Sequence, residues 1–357
     1  MKKLSFTPDE GNQFYHILQH RVTAMLKKKK QSRFANPLMI FKVTVYLVLL
    51  VTCYAFICTS TDSVIKFYVA YLAFGLIALL LAFNVSHDAA HHAILSNKKH
   101  NDILFAVTWH LLGNNAYVWK KYHIESHHLY TNVHGSDVDV LDNPLLRMTS
   151  KQPLYCFNRF QHLYAPILYL FYSLNWLVVR DTMQLFGRSD RSIAIKLSTK
   201  QKLRLVLNKA VYAGYMVLLP FLLLPFTLTQ ILLAFILMHF LISIVIAAVL
   251  GVSHLAEEAD HPHPHAAGEM SHSWVTLQMR TSLDYNADNR LLNWLLGGFN
   301  AHTVHHLFPN VCHIHYLDIV PIMRETAREF GLTYNECPYG RAVASHFRFL
   351  KRMGHEL

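Results

Sequence analysis

FYVAYLAFGLIALLLAFNVSHDAAHH, residues 67–92, decides the fold. No Asp, Glu, Lys or Arg occurs from Phe67 to Ser86. About 20 apolar helical residues are what a hydrocarbon core roughly 30 Å thick requires. The apolar run ends directly on His87, and His91 follows at four-residue spacing. That spacing puts both rings on one face of a helix continuing out of the bilayer. The stretch therefore reads as a membrane span that delivers imidazole to the lipid–water boundary.

Upstream, residues 43–60 are equally free of charge, and only TDSVIK separates them from residues 67–86. A second uncharged block runs from Ala210 to Ala256. At about 1.5 Å per residue it would be roughly 70 Å long as a helix, enough for two spans and not three. Pro225 and the following FTLT mark the turn, giving spans at about 208–226 and 229–252. The expected architecture is an all-α integral membrane protein of four transmembrane helices, arranged as two hairpins. Composition agrees: 53% of the 357 residues are hydrophobic and 15% charged, where a soluble domain carries about a quarter charged. Two shorter apolar stretches, 103–118 and 163–179, are short for spans; the second contains Pro166 and Asn175. They read as interfacial helices.

The net charge of +11 needs no nucleic-acid partner. Of 33 Lys and Arg, all but Lys42 and Lys66 lie in residues 1–36, 87–209 and 254–357. Basic residues collect on the cytoplasmic side, so both hairpin turns are expected outside and everything else in the cytoplasm. No apolar signal-peptide core precedes the first span. The five cysteines form no CxxC pair, which argues against structural zinc and iron–sulfur sites.

The histidines gather on that same side. His87 and His91 follow the second span; His123, His127 and His128 lie in WKKYHIESHHLYTN; His254 sits just past the fourth span; and His302, His305 and His306 lie in HTVHHLFPNVCHIHY. On a helix, offsets of three and four fall about 60° to one side and 40° to the other, so the last three rings can converge. One HxxxH is weak evidence, but several clusters at membrane exits mark a functional site. Neutral imidazole suits iron, zinc, copper and nickel. Nine ligands exceed the three or four of a zinc centre, so two metals are implied. Glu125–His128 and Glu258–His261 have the spacing used by soluble di-iron carboxylate bundles, but no isolated Glu lies within a span, and the all-imidazole reading is preferred. His16, His20, His100, His162, His346 and His355 read as surface residues. His261, His263 and His265 alternate with prolines in a loop. His92 adjoins the first cluster, and His134, His313 and His315 are candidates for supporting or capping roles. His239, alone inside a span, reads as a satisfied residue of the bundle interior.

At these residues the sequence resembles the membrane fatty acid desaturases. Their three histidine boxes match HDAAH (87–91), HIESHH (123–128) and HTVHH (302–306). Trp119, Tyr130-Thr131-Asn132, Gly297-Gly298 and the LFPNVCHIHY ending match the flanks, and His254 falls where the family has an extra ligand. The resemblance implies four transmembrane helices with a cytosolic helical cap holding two iron ions on His87, His91, His123, His127, His128, His254, His302, His305 and His306. Asp88, His92, Asn132 and Asn300 are expected to support those ligands. It implies removal of two hydrogens from an acyl chain, carried on CoA, a lipid or acyl carrier protein, with dioxygen as co-substrate and a cis double bond as product. Residues 1–36 would be a basic cytosolic segment, 37–325 the desaturase domain and 326–357 a cytosolic tail, in a bacterial cytoplasmic membrane rather than the endoplasmic reticulum.

Three departures stand out. Front-end desaturases usually begin the third box with Gln, where this chain has His302, and many carry a fused haem domain with an HPGG motif that is absent here. No CxxC, GxGxxG or haem motif supplies electrons, so a separate donor, a ferredoxin or b-type cytochrome, is expected. Some members also place an Asn four residues before the lone histidine, where this chain has Leu250. The competing readings are a related hydroxylase or ketolase and, from another class, a metal transporter or zinc hydrolase. A transporter would need ionisable groups near the midplane.

Overall fold

A computed structural model describes residues 4–140, 144–187 and 195–356. Among the described residues, four helices are long and apolar enough to cross a membrane, Pro37–Thr59, Val64–Ala90, Thr199–Leu223 and Leu228–His254, or five if one sharply bent pair counts as a single span. Their starts are written in local chemistry. Asn36 accepts from the Met39 N–H at 3.0 Å with Pro37 following, a helix-start pairing. Ser198 with Gln201 and Thr227 with Gln230 form capping boxes, which satisfy the free N–H groups of the first turn. The turn around Pro225 lies where the sequence placed it.

The third helix begins earlier than the apolar run at 208, because its first turns continue as a polar helix with Leu205 buried. The second and fourth helices are 27 residues each, about 40 Å at 1.5 Å per residue. They outrun the hydrocarbon core, and their last turns carry His87 and His254. Gly75 lets the fourth helix approach the second, since a Cβ there would meet Met238 Cγ at 2.3 Å.

The two shorter apolar stretches do not form straight spans. Residues 103–118 divide between Lys98–His110 and Ala116–Tyr122, with Ile103 and Val107 facing outward. Residues 163–179 lie on both sides of a 70° bend between Cys156–Tyr169 and Tyr172–Leu185, exposing Leu163, Ile167, Phe171 and Val178. One-sided apolar exposure on bent, short helices suits a membrane surface.

The ends of the chain, read from the sequence as a basic segment and a tail, pack against the rest of the protein. Phe14, Leu18, Val22 and Leu26 recur along helix Glu10–Lys28 and join a core with Val304, Leu307, Tyr316 and Ile319. Helix Tyr339–Met353 buries Phe349 and Leu350 against Leu146, Met148 and Ala165. Its His346, expected on the surface, is buried: Nδ1–H donates to the Leu255 carbonyl at 2.7 Å, and Nε2 accepts from the Tyr169 hydroxyl at 2.9 Å. The amphipathic pattern of 339–353 turns that face inward. Two short parallel pairs, Ser5–Phe6 with Glu269–Met270 and Asp284–Tyr285 with Glu336–Cys337, tie the termini to the cap.

Candidate metal centre

The eight box histidines and His254 come together in two adjoining groups. His87, His91, His123, His128 and His305 form one; His127, His254, His302 and His306 form the other. The rings of His128 and His306 stack across the boundary at 4.4 Å.

Local helix geometry makes the division. In HIESHH the backbone forms a π-turn, closed by the His128 N–H on the His123 carbonyl at 3.0 Å. On an α-helix, at about 100° per residue, His123 and His128 would lie about 140° apart. A turn closed over five residues brings them to within about 50°. That brings His128 round from the far side of the helix; it shares the five-histidine group with His123, and His127 belongs to the other. The third box stays α-helical over His302–Leu307. There the four-residue pair His302 and His306 shares a group, while His305, on the other side, joins the first. Convergence of all three rings on one point, which spacing alone allows, is not what forms.

Further π-turns, Ala82–Ser86 and Ala247–Gly251, lie immediately before His87 and just ahead of His254. The first is clasped by Asn84, whose Nδ2 donates to the Leu80 and Leu295 carbonyls at 2.7 and 2.8 Å. Against it sits Gly297 at φ +63°, where a Cβ would come 2.4 Å from the Phe83 carbonyl oxygen. Only glycine takes that left-handed, close-packed position without strain.

The donor set fits metal. Nε2 of His123 lies 3.1, 3.0 and 3.1 Å from Nε2 of His87, His91 and His128, and His128 lies 3.0 Å from His305. In the second group His302 lies 2.6 and 3.2 Å from His254 and His306. One imidazole nitrogen has one proton or one lone pair, so His123 Nε2 cannot hydrogen-bond to three neighbours at once. Two nitrogens at right angles, each about 2.1 Å from a shared cation, stand about 3.0 Å apart.

The outer nitrogens are held from behind, as metal-binding imidazoles usually are. His127 Nδ1–H donates to Asp137 Oδ2 at 3.0 Å, His254 Nδ1–H to the Thr281 carbonyl at 2.9 Å and His306 Nδ1–H to Gln278 Oε1 at 2.7 Å. His305 Nδ1 faces the Tyr316 hydroxyl at 3.3 Å. Trp119 stacks on His123 at 4.4 Å. Burial first, then mutual repulsion, pushes His91, His123, His128, His302, His305 and His306 well below the usual histidine value. They are neutral, with lone pairs available. His127 is the exception: burial pulls it down, but the Asp137 carboxylate prevails and raises it to about 9.

Of the four residues expected to support the ligands, Asp88 sits beside His87, its Oδ1 4.0 Å from Nδ1. Asn132 donates to the His254 and Asp260 carbonyls, and its N–H reaches Asp137 Oδ2 at 2.8 Å. Asn300 instead bonds to Asn286. His92, at φ +57° where the helix ends, turns outward to Asp102 and Lys120. The carboxylates of both ExxH pairs look elsewhere, Glu125 to Lys121 and Glu258 to Ser345. His239 is satisfied by Ser173 and Tyr212. His134 bonds Thr149, and His315 the Phe34 carbonyl. Asp137 and Gln278 carry no spacing signal that could have marked them in the sequence, whereas Tyr316 ends the LFPNVCHIHY stretch.

Fold and site together define an integral membrane protein with a buried all-imidazole centre suited to metal. The fatty acid desaturase family model matches residues 63–338. An sn-1 linoleoyl-lipid 6-desaturase of Synechocystis sp. is 31% identical over 99% of this chain and 98% of its own length. A protein of the same name from Arthrospira platensis is 28% identical over 98% and 95%. An acyl-lipid (8-3)-desaturase of Physcomitrium patens is 27% identical over 98% of this chain and 74% of its own. The chain belongs to the fatty acid desaturase family, an oxidoreductase family that is generally iron-dependent.

Proposed function

We propose that this desaturase inserts a cis double bond into an acyl chain esterified to a membrane lipid, using two iron ions held by the eight box histidines and His254. The observation that carries the reading is the sorting of nine imidazoles into two adjoining groups, with His87 and His254 at the ends of two long apolar helices. The names of the relatives, which specify lipid-bound acyl groups, support the lipid carrier.

The reaction balances as –CH2–CH2– plus O2, two electrons and two protons giving –CH=CH– and two waters. Iron, when bound, supplies the one-electron redox chemistry that dioxygen reduction needs. The chain's own residues do the rest. The Thr281 carbonyl, Gln278 and Asp137 hold protons at the Nδ1 atoms of His254, His306 and His127, so their Nε2 atoms face inward. Burial of the groups excludes bulk water from a site that handles hydrogen atoms. The two electrons come from a separate carrier; the basic residues support a site facing the cytoplasm, and the Synechocystis relative supports a bacterial membrane.

Expression in a host without polyunsaturated lipids, followed by fatty-acid analysis of its glycerolipids, tests this. A new cis double bond and about two irons per purified chain are expected. A hydroxylated or ketone product would point to the related oxygen-inserting enzymes. One zinc per chain with no new double bond would overturn the proposal.

A further inference from the structure

Lys42 lies in the second turn of the first span and is 1% exposed. An ionisable side chain buried there needs a named partner and a reason. Its Nζ lies 3.0 Å from His313 Nε2 and 4.5 Å from the centre of the Trp294 ring. His313 in turn gives both its Nδ1–H, at 2.8 Å, and its backbone N–H, at 3.0 Å, to Asp88 Oδ2. With Nδ1 carrying the proton toward a carboxylate, Nε2 is the acceptor and Lys42 the donor. The chain of bonds thus has one direction, from ammonium through imidazole to carboxylate.

Its far end is the site. The second Asp88 oxygen, Oδ1, lies 4.0 Å from His87 Nδ1, and that nitrogen has no hydrogen-bond partner of its own. Asp88, Cys312 and His313 could by spacing hold a cation, but both ring nitrogens of His313 are already engaged, one by a cationic side chain. The cluster is therefore a charge-compensated strut rather than a third metal position. It is anchored: the Cys312 N–H donates to the Arg33 carbonyl at 2.9 Å, and His315 Nε2 to the Phe34 carbonyl at 3.1 Å. These contacts fasten the CHIH segment to the entry of the first span.

We propose that Lys42 is a positioning residue for the five-histidine group: acting through His313, it fixes the Asp88 carboxylate beside His87 and so tunes that ligand. The inference rests on the metal reading above. Partners behind a ligand typically change metal affinity or activity by about 10–100-fold when removed.

The test compares Lys42→Met and Lys42→Arg in the purified iron-loaded protein, by iron content, Mössbauer spectrum and kinetics. Lys42→Met should perturb the signal of one of the two irons and lower kcat about 10–100-fold with KM little changed. Lys42→Arg, which keeps a cationic donor, should restore the wild-type spectrum. The proposal is overturned if Lys42→Met leaves both signals and kcat unchanged, if Arg and Met variants are equally perturbed, or if both iron signals change alike. Should Lys42→Met not fold, the comparison is made in the Asp88→Asn background, where no bare carboxylate remains. There the second substitution should add nothing to the spectrum, and a further shift overturns the proposal. A wild-type protein that holds no iron would instead remove the metal reading itself.

Discussion

His127 Nδ1 and Asp137 Oδ2 meet at 3.0 Å, with both side chains buried. The same carboxylate accepts from the backbone N–H groups of Asn132 and Asp139 at 2.8 and 3.0 Å, so it is fixed before any ligand arrives. Asp137→Asn keeps the shape but loses the charge that aligns His127. Metal affinity of the four-histidine group should fall about 10–100-fold. Metal per chain after dialysis against a weak chelator measures this, and an undiminished content would refute the role.

Gly297→Ala should cost about 1–3 kcal/mol, from a forced left-handed alanine and the contact with the Phe83 carbonyl. Thermal unfolding in detergent should show a lower midpoint, accompanied by reduced activity because the displaced turn leads into His87. An unchanged midpoint would mean that the turn yields without cost.

Asp284 provides a pH signature. Burial pushes its carboxyl up to about 6 from an ordinary value of 3.8, against hydrogen bonds from Tyr334 and the Thr303 N–H. The folded protein binds this proton more tightly than the unfolded chain. Stability therefore falls as pH rises between those values, and the cost is complete above pH 6. Relative to Asp284→Asn, the wild type should be more stable at pH 5 than at pH 7.5, by an amount on the order of 1–3 kcal/mol. A stability gap that does not vary with pH would contradict this.

Dioxygen takes four electrons to become two waters, and the acyl chain provides two. Purified protein with lipid substrate and oxygen but no reductant should show no sustained turnover, measured as double bonds formed per chain. An acidic ferredoxin or b-type cytochrome should restore activity, with a rate that falls as salt rises. A rate indifferent to ionic strength would remove only the charge steering.

Orientation can be read with a reporter fused after Leu357. The confinement of 31 of 33 basic residues to residues 1–36, 87–209 and 254–357 predicts this end in the cytoplasm. Activity of the reporter only on the outer side would reverse the topology.

The sequence by itself marked the four apolar helices, their pairing into hairpins and the nine histidines that the fold brings together, because a run long enough to cross a membrane and clustered imidazole leave local marks. A charge-free run of sufficient length, an HxxxH at its end and a proline at a turn are all legible without tertiary contacts. The structure alone decided how the histidines divide. Spacing converts to direction only if the helical twist is known, and the π-turn at His123–His127 changes that twist without any residue announcing it. It also decided what stands behind the ligands: Gln278 reaches His306 across 28 positions and Lys42 reaches His313 across 271. Such contacts depend on how helices pack, and a buried Lys or Gln has the same letter in the sequence as an exposed one. His346 and the chain ends changed environment for the same reason: an amphipathic helix shows that it has an apolar face, but only packing shows which surface receives it.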